Sequence, residues 1–338
     1  MKSLKEIEYW KNGQDFLKVQ IPFISGAMTW ISNSKLIQAV SEAGGFGFLA
    51  AGNMPVEILE EEINILKKAN AHFGVNLITI APNYLNQLKK SIQLKVPLIV
   101  FAGSFPRKKE ILMAKKSGAK VMCFASTESI AQRMIDYGAD ALILEGSEAG
   151  GHIGHVSTII LLQQVLFNFP DIPIFIAGGI ASGKMITHLF LMGASGIQMG
   201  TIFAMSEESP AHPFFKERYK KARAREAFAT PQYDSALPIV AVRAIKNKGT
   251  DAFGKLQLEL LTKLKQNKIT RIEAQYESEK FWIGALRKAV EQGDIHHGSL
   301  MAGQSVGLVD EIKPVKDIFT DLVFEAEKEF EKIKKILS

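Results

Sequence analysis

The chain has 338 residues, a formal net charge of +6, 47% hydrophobic and 22% charged residues, and a single cysteine. That balance excludes a mainly disordered chain, and the lone Cys123 excludes an intramolecular disulfide or a cysteine-based metal cluster. The opening Met1-Lys2-Ser3-Leu4-Lys5-Glu6 leads into no signal-peptide core and no run of about 18 apolar residues follows, so a cytoplasmic protein outside the membrane is expected.

Short apolar, β-branched runs alternate along the chain with longer amphipathic segments, the rhythm of βα units and a parallel sheet. The candidate strands are residues 22–26, 47–51, 73–78, 97–102, 120–124, 141–145, 173–177 and 196–200. Helical patterns separate them. Residues 33–43 stop at Gly44-Gly45, residues 55–69 carry Val56, Leu59, Ile63 and Leu66 at helical spacing, residues 127–137 stop at Gly138, and residues 183–192 stop at Gly193. Eight strands within about 200 residues fit an α/β fold of the (β/α)₈ TIM-barrel type. A doubly wound sheet fits less well, because the first strand runs into Gly26-Ala27-Met28-Thr29-Trp30 rather than into G-x-G-x-x-G. Residues 206–280 lose the rhythm and read as a Lys-rich helical insertion, a lid after strand eight. Residues 281–292 read as a helix, 293–307 as a loop and 315–337 as a final amphipathic helix. The expected division is therefore a barrel made of residues 1–205 and 281–338, with 206–280 inserted.

In such a barrel the site lies beyond the carboxyl ends of the strands. Strand seven is followed by Ala177-Gly178-Gly179-Ile180 and strand eight by Met199-Gly200-Thr201. Bare main-chain amides there can close on a phosphate, helped by the helix start that follows at Ala181-Ser182-Gly183, or the glycines only make tight turns. Strand six is followed by Glu145-Gly146-Ser147-Glu148-Ala149-Gly150-Gly151-His152-Ile153-Gly154-His155. Glycines around His152 let the backbone pass close to a flat ligand. An imidazole at that mouth can give or take a proton, or it can simply bond the loop; His155 carries the same two readings. Asn76, closing the run Gly74-Val75-Asn76 in strand three, offers an amide to a cofactor ring edge or to a turn, and Met301-Ala302-Gly303-Gln304 presents another. His296-His297 lack a ligating carboxylate cluster, so no metal is expected. The basic excess is either solvated helix surface or an attraction for an acidic partner. No aromatic-interleaved basic cluster points to nucleic acid.

Taken together these motifs resemble the nitronate monooxygenase / flavin-dependent enoyl-acyl carrier protein reductase family (2-nitropropane dioxygenase-like, FabK-type). Further matching pieces are Phe73-Gly74-Val75-Asn76, Val242-Arg243-Ala244-Ile245-Lys246-Asn247 and Gly298-Ser299-Leu300-Met301-Ala302-Gly303-Gln304. The resemblance implies noncovalent FMN, with Ala27, Met28 and Asn76 at the isoalloxazine. It puts Gly151, Gly178, Gly179, Gly200 and Thr201 around the ribityl phosphate, and Gln304 near the ring. Gly26, Glu148, Gly150, Ala177, Met199 and Met301 complete the implied cofactor set, and His152 matches the catalytic histidine. In the reductase branch NADH or NADPH supplies hydride through FMN to the β-carbon of a trans-2-enoyl thioester, and a proton goes to the α-carbon. In the nitronate branch an alkyl nitronate is oxidised with dioxygen; a nicotinamide:quinone reductase is a further relative. The loops Ser25-Gly26-Ala27-Met28 and Ala102-Gly103-Ser104-Phe105-Pro106 depart from the reductase pattern on the substrate face. An acyl carrier protein partner and a homodimer are further implications.

Overall fold

Short runs whose residues are apolar on both faces become the staves of a closed parallel barrel in the computed structural model, which describes residues 3–337. In chain order the strands are β1 (Phe23–Ser25), β2 (Phe46–Ala50), β3 (Phe73–Ile78), β4 (Leu98–Ala102), β5 (Lys120–Phe124), β6 (Ala141–Glu145), β7 (Gly151–His152), β8 (Ile174–Ala177) and β9 (Gly196–Met199). All but β7 form the barrel, in the order β1-β2-β3-β4-β5-β6-β8-β9, and β9 closes on β1 through Phe23↔Ile197, Ile24↔Gln198 and Ser25↔Met199. The eight barrel strands lie where the apolar runs place them.

Inward-pointing Ile24, Phe48, Val100, Met122, Ile143 and Phe175 fill the barrel. Leu17 and Val19 join them, and the ring of Phe16 lies 5.7 Å from that of Phe175, so the helix Glu8–Leu17 plugs the amino-terminal end. Outward-pointing side chains meet the surrounding helices. Trp10, fully buried, stacks at 4.7 Å on Phe190 of the helix Gly183–Met192. The closing helix Val315–Leu337 packs on the same helix, accepting from Thr187 Oγ1 at Ala326 O (2.7 Å).

The segment after β9 is not all helix, contrary to its polar, Lys-rich pattern. It contributes β10 (Ala227–Ala229) and β11 (Val242–Ile245), which form a three-stranded antiparallel sheet with β7 in the order β10-β11-β7. Its helices are Pro213–Lys220, Lys248–Lys265 and Arg271–Gln292, the last running unbroken past residue 281. Two small apolar cores hold it: Leu237, Leu260 and Ala274, then Val242, Phe253 and Trp282, where the rings of Phe253 and Trp282 are 4.3 Å apart. The motif ending at Asn247 has a structural purpose. The Asn247 side chain caps the helix Lys248–Lys265 by accepting from Thr250 N (3.1 Å), and donates to the carbonyls of Ile295 (2.9 Å) and Gly298 (2.8 Å). It thereby fixes the start of the loop that carries Met301. No helix among the described residues is long and apolar enough to cross a membrane.

Candidate active site

A cavity of about 930 Å³ opens at the carboxyl ends of the barrel strands, under the inserted segment. A smaller one of about 540 Å³ lies beside Ile21, Phe319 and Lys316, toward the opposite end of β1 and away from the glycine-rich loops. The larger is lined by every residue expected of the cofactor and catalytic set except Glu148 and Gln304.

Those two lie off its lining. The Glu148 carboxylate turns back to accept from Thr158 N (3.0 Å) and Thr158 Oγ1 (2.9 Å), and its carbonyl accepts from Gln304 N (2.9 Å). The main chains of Glu148 and Gln304 therefore stitch the loop after β6 to the late loop. Gly150 serves the same seam: a Cβ there would lie 2.5 Å from the Ala302 carbonyl carbon. The helix Gly183–Met192 departs from the expected anion-binding start. Its first N–H, that of Gly183, is taken by the Glu325 carboxylate (3.0 Å), and Gly183 does not line the cavity. What lines the cavity at this edge is the Gly178-Gly179 pair and Gly200 themselves.

Their backbone explains the residue type. Gly178 has φ +92° and Gly179 φ +76°, the left-handed region where a side chain is strained. A Cβ at Gly178 would sit 2.8 Å from the Gly146 carbonyl oxygen. Thr201 receives Gly303 N on its hydroxyl (3.1 Å), tying the loop after β9 to the late loop. At the loop after β1, Met28 N donates to Ser32 Oγ and Ser32 donates to Gly26 O, both at 2.9 Å, which shapes the Gly26-Ala27-Met28 turn against the cavity.

The amides of Asn76 and Gln198 are each only 7% exposed, face the cavity, and have no hydrogen-bond partner among the described residues. Neither amide is fully enclosed, so both open into the cavity and are free to bond a polar edge there. A flat heteroaromatic ring against those amides, with a phosphate at the unclad glycine amides, fits this donor set.

His152 lies on the cavity wall with its Nε2 3.1 Å from the Glu279 carboxylate, a residue of the helix Arg271–Gln292. Enclosure alone would pull its proton affinity down, but the hydrogen bond and charge of Glu279, with Glu145 behind, outweigh it and hold the imidazolium above its ordinary range. Burial pushes the Glu145 carboxyl up to about 7, against the opposing pull of His152. Arg243 underpins this loop from β11, donating Nε to Ser147 O (3.0 Å) and Nη1 to Ala227 O (2.6 Å). His155 also lines the cavity, whereas His297 pairs with Asp294 at 3.3 Å outside it. Glu279, Tyr276, Trp282 and Ile239 were not singled out from the sequence, yet all face the cavity from the inserted segment.

The nitronate monooxygenase family model matches residues 11–93 and 77–325. The chain belongs to this family. Its members are flavin enzymes in general, and the protein is an oxidoreductase. Among solved structures, FabK from Thermotoga maritima is 35% identical, with 99% of each chain covered and a TM-score of 0.84. The nitroalkane oxidase from Streptomyces ansochromogenes is 25% identical, covering 95% of this chain and 99% of its own, with a TM-score of 0.79. A curated relative from Rhodococcus jostii, (3aS,4S,5R,7aS)-5-hydroxy-7a-methyl-1-oxo-octahydro-1H-indene-4-carboxyl-CoA dehydrogenase, is 28% identical over 334 residues, 92% of this chain and 94% of its own.

Proposed function

We propose that this family member is an FMN-dependent reductase of trans-2-enoyl thioesters carried on acyl carrier protein, using NADH or NADPH. The observation that carries the reading is an imidazole, that of His152, facing a cavity whose outer wall is apolar. Ile80 and Phe105 from the loops after β3 and β4 face Ile272 and Tyr276 of the inserted helix, and all four are exposed within that mouth. A volume of about 930 Å³ stands at the upper end of ordinary ligand sites, as a flat cofactor with a second, chain-bearing substrate requires.

FMN, when bound, supplies the two-electron chemistry that links reduced nicotinamide to the β-carbon of the enoyl group. The protein supplies the rest. Asn76 and Gln198 offer amides to the ring edge; Gly178, Gly179, Gly200 and Thr201 offer the phosphate pocket. His152, its proton affinity raised by Glu279, gives a proton to the α-carbon, and the rim holds the acyl chain. The similarity to FabK and to a CoA-thioester dehydrogenase supports a thioester substrate, and the basic chain suits an acidic carrier.

The second reading, oxidation of an alkyl nitronate with dioxygen, is favoured by the family match and the nitroalkane oxidase likeness. The higher identity to FabK, 35% against 25%, and the Glu279 carboxylate that favours the protonated ring both favour the first. The test is anaerobic addition of NADH or NADPH to the yellow protein, followed by crotonyl thioester or a nitronate. Nicotinamide-driven bleaching with recolouring by the thioester is expected, and His152→Gln should keep the colour but lose at least about 10²-fold in thioester turnover. A protein that ignores nicotinamide but turns over nitronate with oxygen uptake would reverse the assignment.

A further inference from the structure

Glu279 and His152 are 127 residues apart in sequence, and they meet because two different constraints converge. The His152 backbone is pinned from one side. Strand β7 pairs with β11 through His152↔Val242, and Ile153 N donates to Ala241 O at 3.0 Å. What remains free is the ring, and Glu279 takes its Nε2. Nδ1 has no hydrogen-bond partner among the described residues.

Glu279, in turn, is aimed by an anchor elsewhere on its helix. Glu279, Ile283 and Arg287 are successive positions four apart and so share one helix face. Ile283 O accepts from Trp30 Nε1 at 3.3 Å, and the Arg287 guanidinium lies 5.0 Å over the Trp30 ring. Trp30 holds φ +66°, an unusual conformation for a large aromatic residue, kept here by contacts that fix the ring against the helix. Around His152 the other charged or titratable groups lining the cavity are Glu145 at the end of β6, His155 in the same loop, Tyr276 one turn before Glu279 and Lys280 beside it. Arg243 of β11 is spent on main-chain carbonyls.

We propose that Glu279 is a positioning residue: it holds the Nε2–H of the His152 imidazolium, leaves Nδ1–H to deliver the proton, and is itself presented by the Trp30 clamp. The proton donor is then complete only while the inserted helix is docked on the loop after β1. In the step, the Nδ1–H bond breaks as the α-carbon–H bond forms, and His152 is left as the neutral Nε2–H tautomer facing the carboxylate. This rests on the reading of His152 as the proton donor.

The experiment is a histidine-ring NMR titration of the flavin-loaded enzyme, with His152 assigned by its loss in His152→Gln. Glu279→Gln should lower the proton affinity of His152 about tenfold, Glu279→Asp should restore part of it, and Trp30→Ala should lower it although neither partner is altered. In turnover, Glu279→Gln should move the alkaline limb of kcat to lower pH while KM and nicotinamide-driven bleaching stay within about twofold. An unchanged His152 midpoint in Glu279→Gln overturns the positioning role even if enoyl thioesters are reduced. An unchanged midpoint in Trp30→Ala overturns the clamp. A shifted midpoint in an enzyme that reduces no thioester leaves the pair standing and sinks the functional reading instead.

Discussion

Glu145 shows how much one carboxyl can depend on where a strand ends. Burial raises it to about 7, so between the ordinary carboxylate range and neutrality the folded protein keeps a proton that the unfolded chain releases. Its contribution to stability is therefore full below the unfolded value and is lost as pH rises through about 7. Glu145→Gln removes this dependence. Urea denaturation at pH 5 and pH 8 should show the variant gaining stability relative to wild type at the higher pH; parallel losses in both proteins would show that the carboxyl is not buried in its charged form. Residue by residue, the site was legible where chemistry lies close to a glycine-rich loop. His152, Asn76 and the Gly178-Gly179 pair all announce themselves that way. Glu279 could not, because no local spacing links it to His152. The setting of Glu148 was hidden for a related reason: the Thr158 hydroxyl and amide, ten residues on, hold its carboxylate, and the residue does not line the cavity.

At the scale of elements, the barrel strands were readable because each is a short apolar run buried on both faces, bounded by turn residues and too brief for a buried helix. Strands β7, β10 and β11 were not. They span two to four residues and include Gly151, His152 and Arg243, with no alternation to betray them. The true start of the helix Arg271–Gln292 had a signal that pattern reading passed over. Thr270 accepts from Glu273 N (3.2 Å) and Glu273 accepts from Thr270 N (2.7 Å), a capping box ten residues before the first strongly apolar turn. The loop after β8 gives its own prediction. Gly179→Val would force a β-branched residue to φ +76° with its Cβ 3.0 Å from that of Glu148, so the loop must shift and the proposed phosphate pocket with it. The purified variant should be folded by circular dichroism yet carry little flavin; full flavin content would remove this loop from the cofactor site.

Over the whole molecule, the barrel provides a polar floor and the inserted segment an apolar roof. Ile272 and Tyr276 are poorly covered by the protein itself, and a substrate chain is what would cover them. Each methylene buried there is worth up to about 0.8 kcal/mol, roughly fourfold in kcat/KM. Enoyl thioesters of increasing length should therefore improve as substrates until the rim is filled, and Ile272→Ser should flatten the trend. A wild-type enzyme indifferent to chain length would place the chain elsewhere.

The sheet made by β7, β11 and β10 also makes the imidazole sensitive to register. Because the strand bearing His152 is hydrogen-bonded to a strand of the inserted segment, a change of length or register in either one breaks main-chain pairing at the imidazole. A one-residue deletion within β11 should therefore displace His152 and cut turnover, although it leaves every residue of the imidazole loop unchanged.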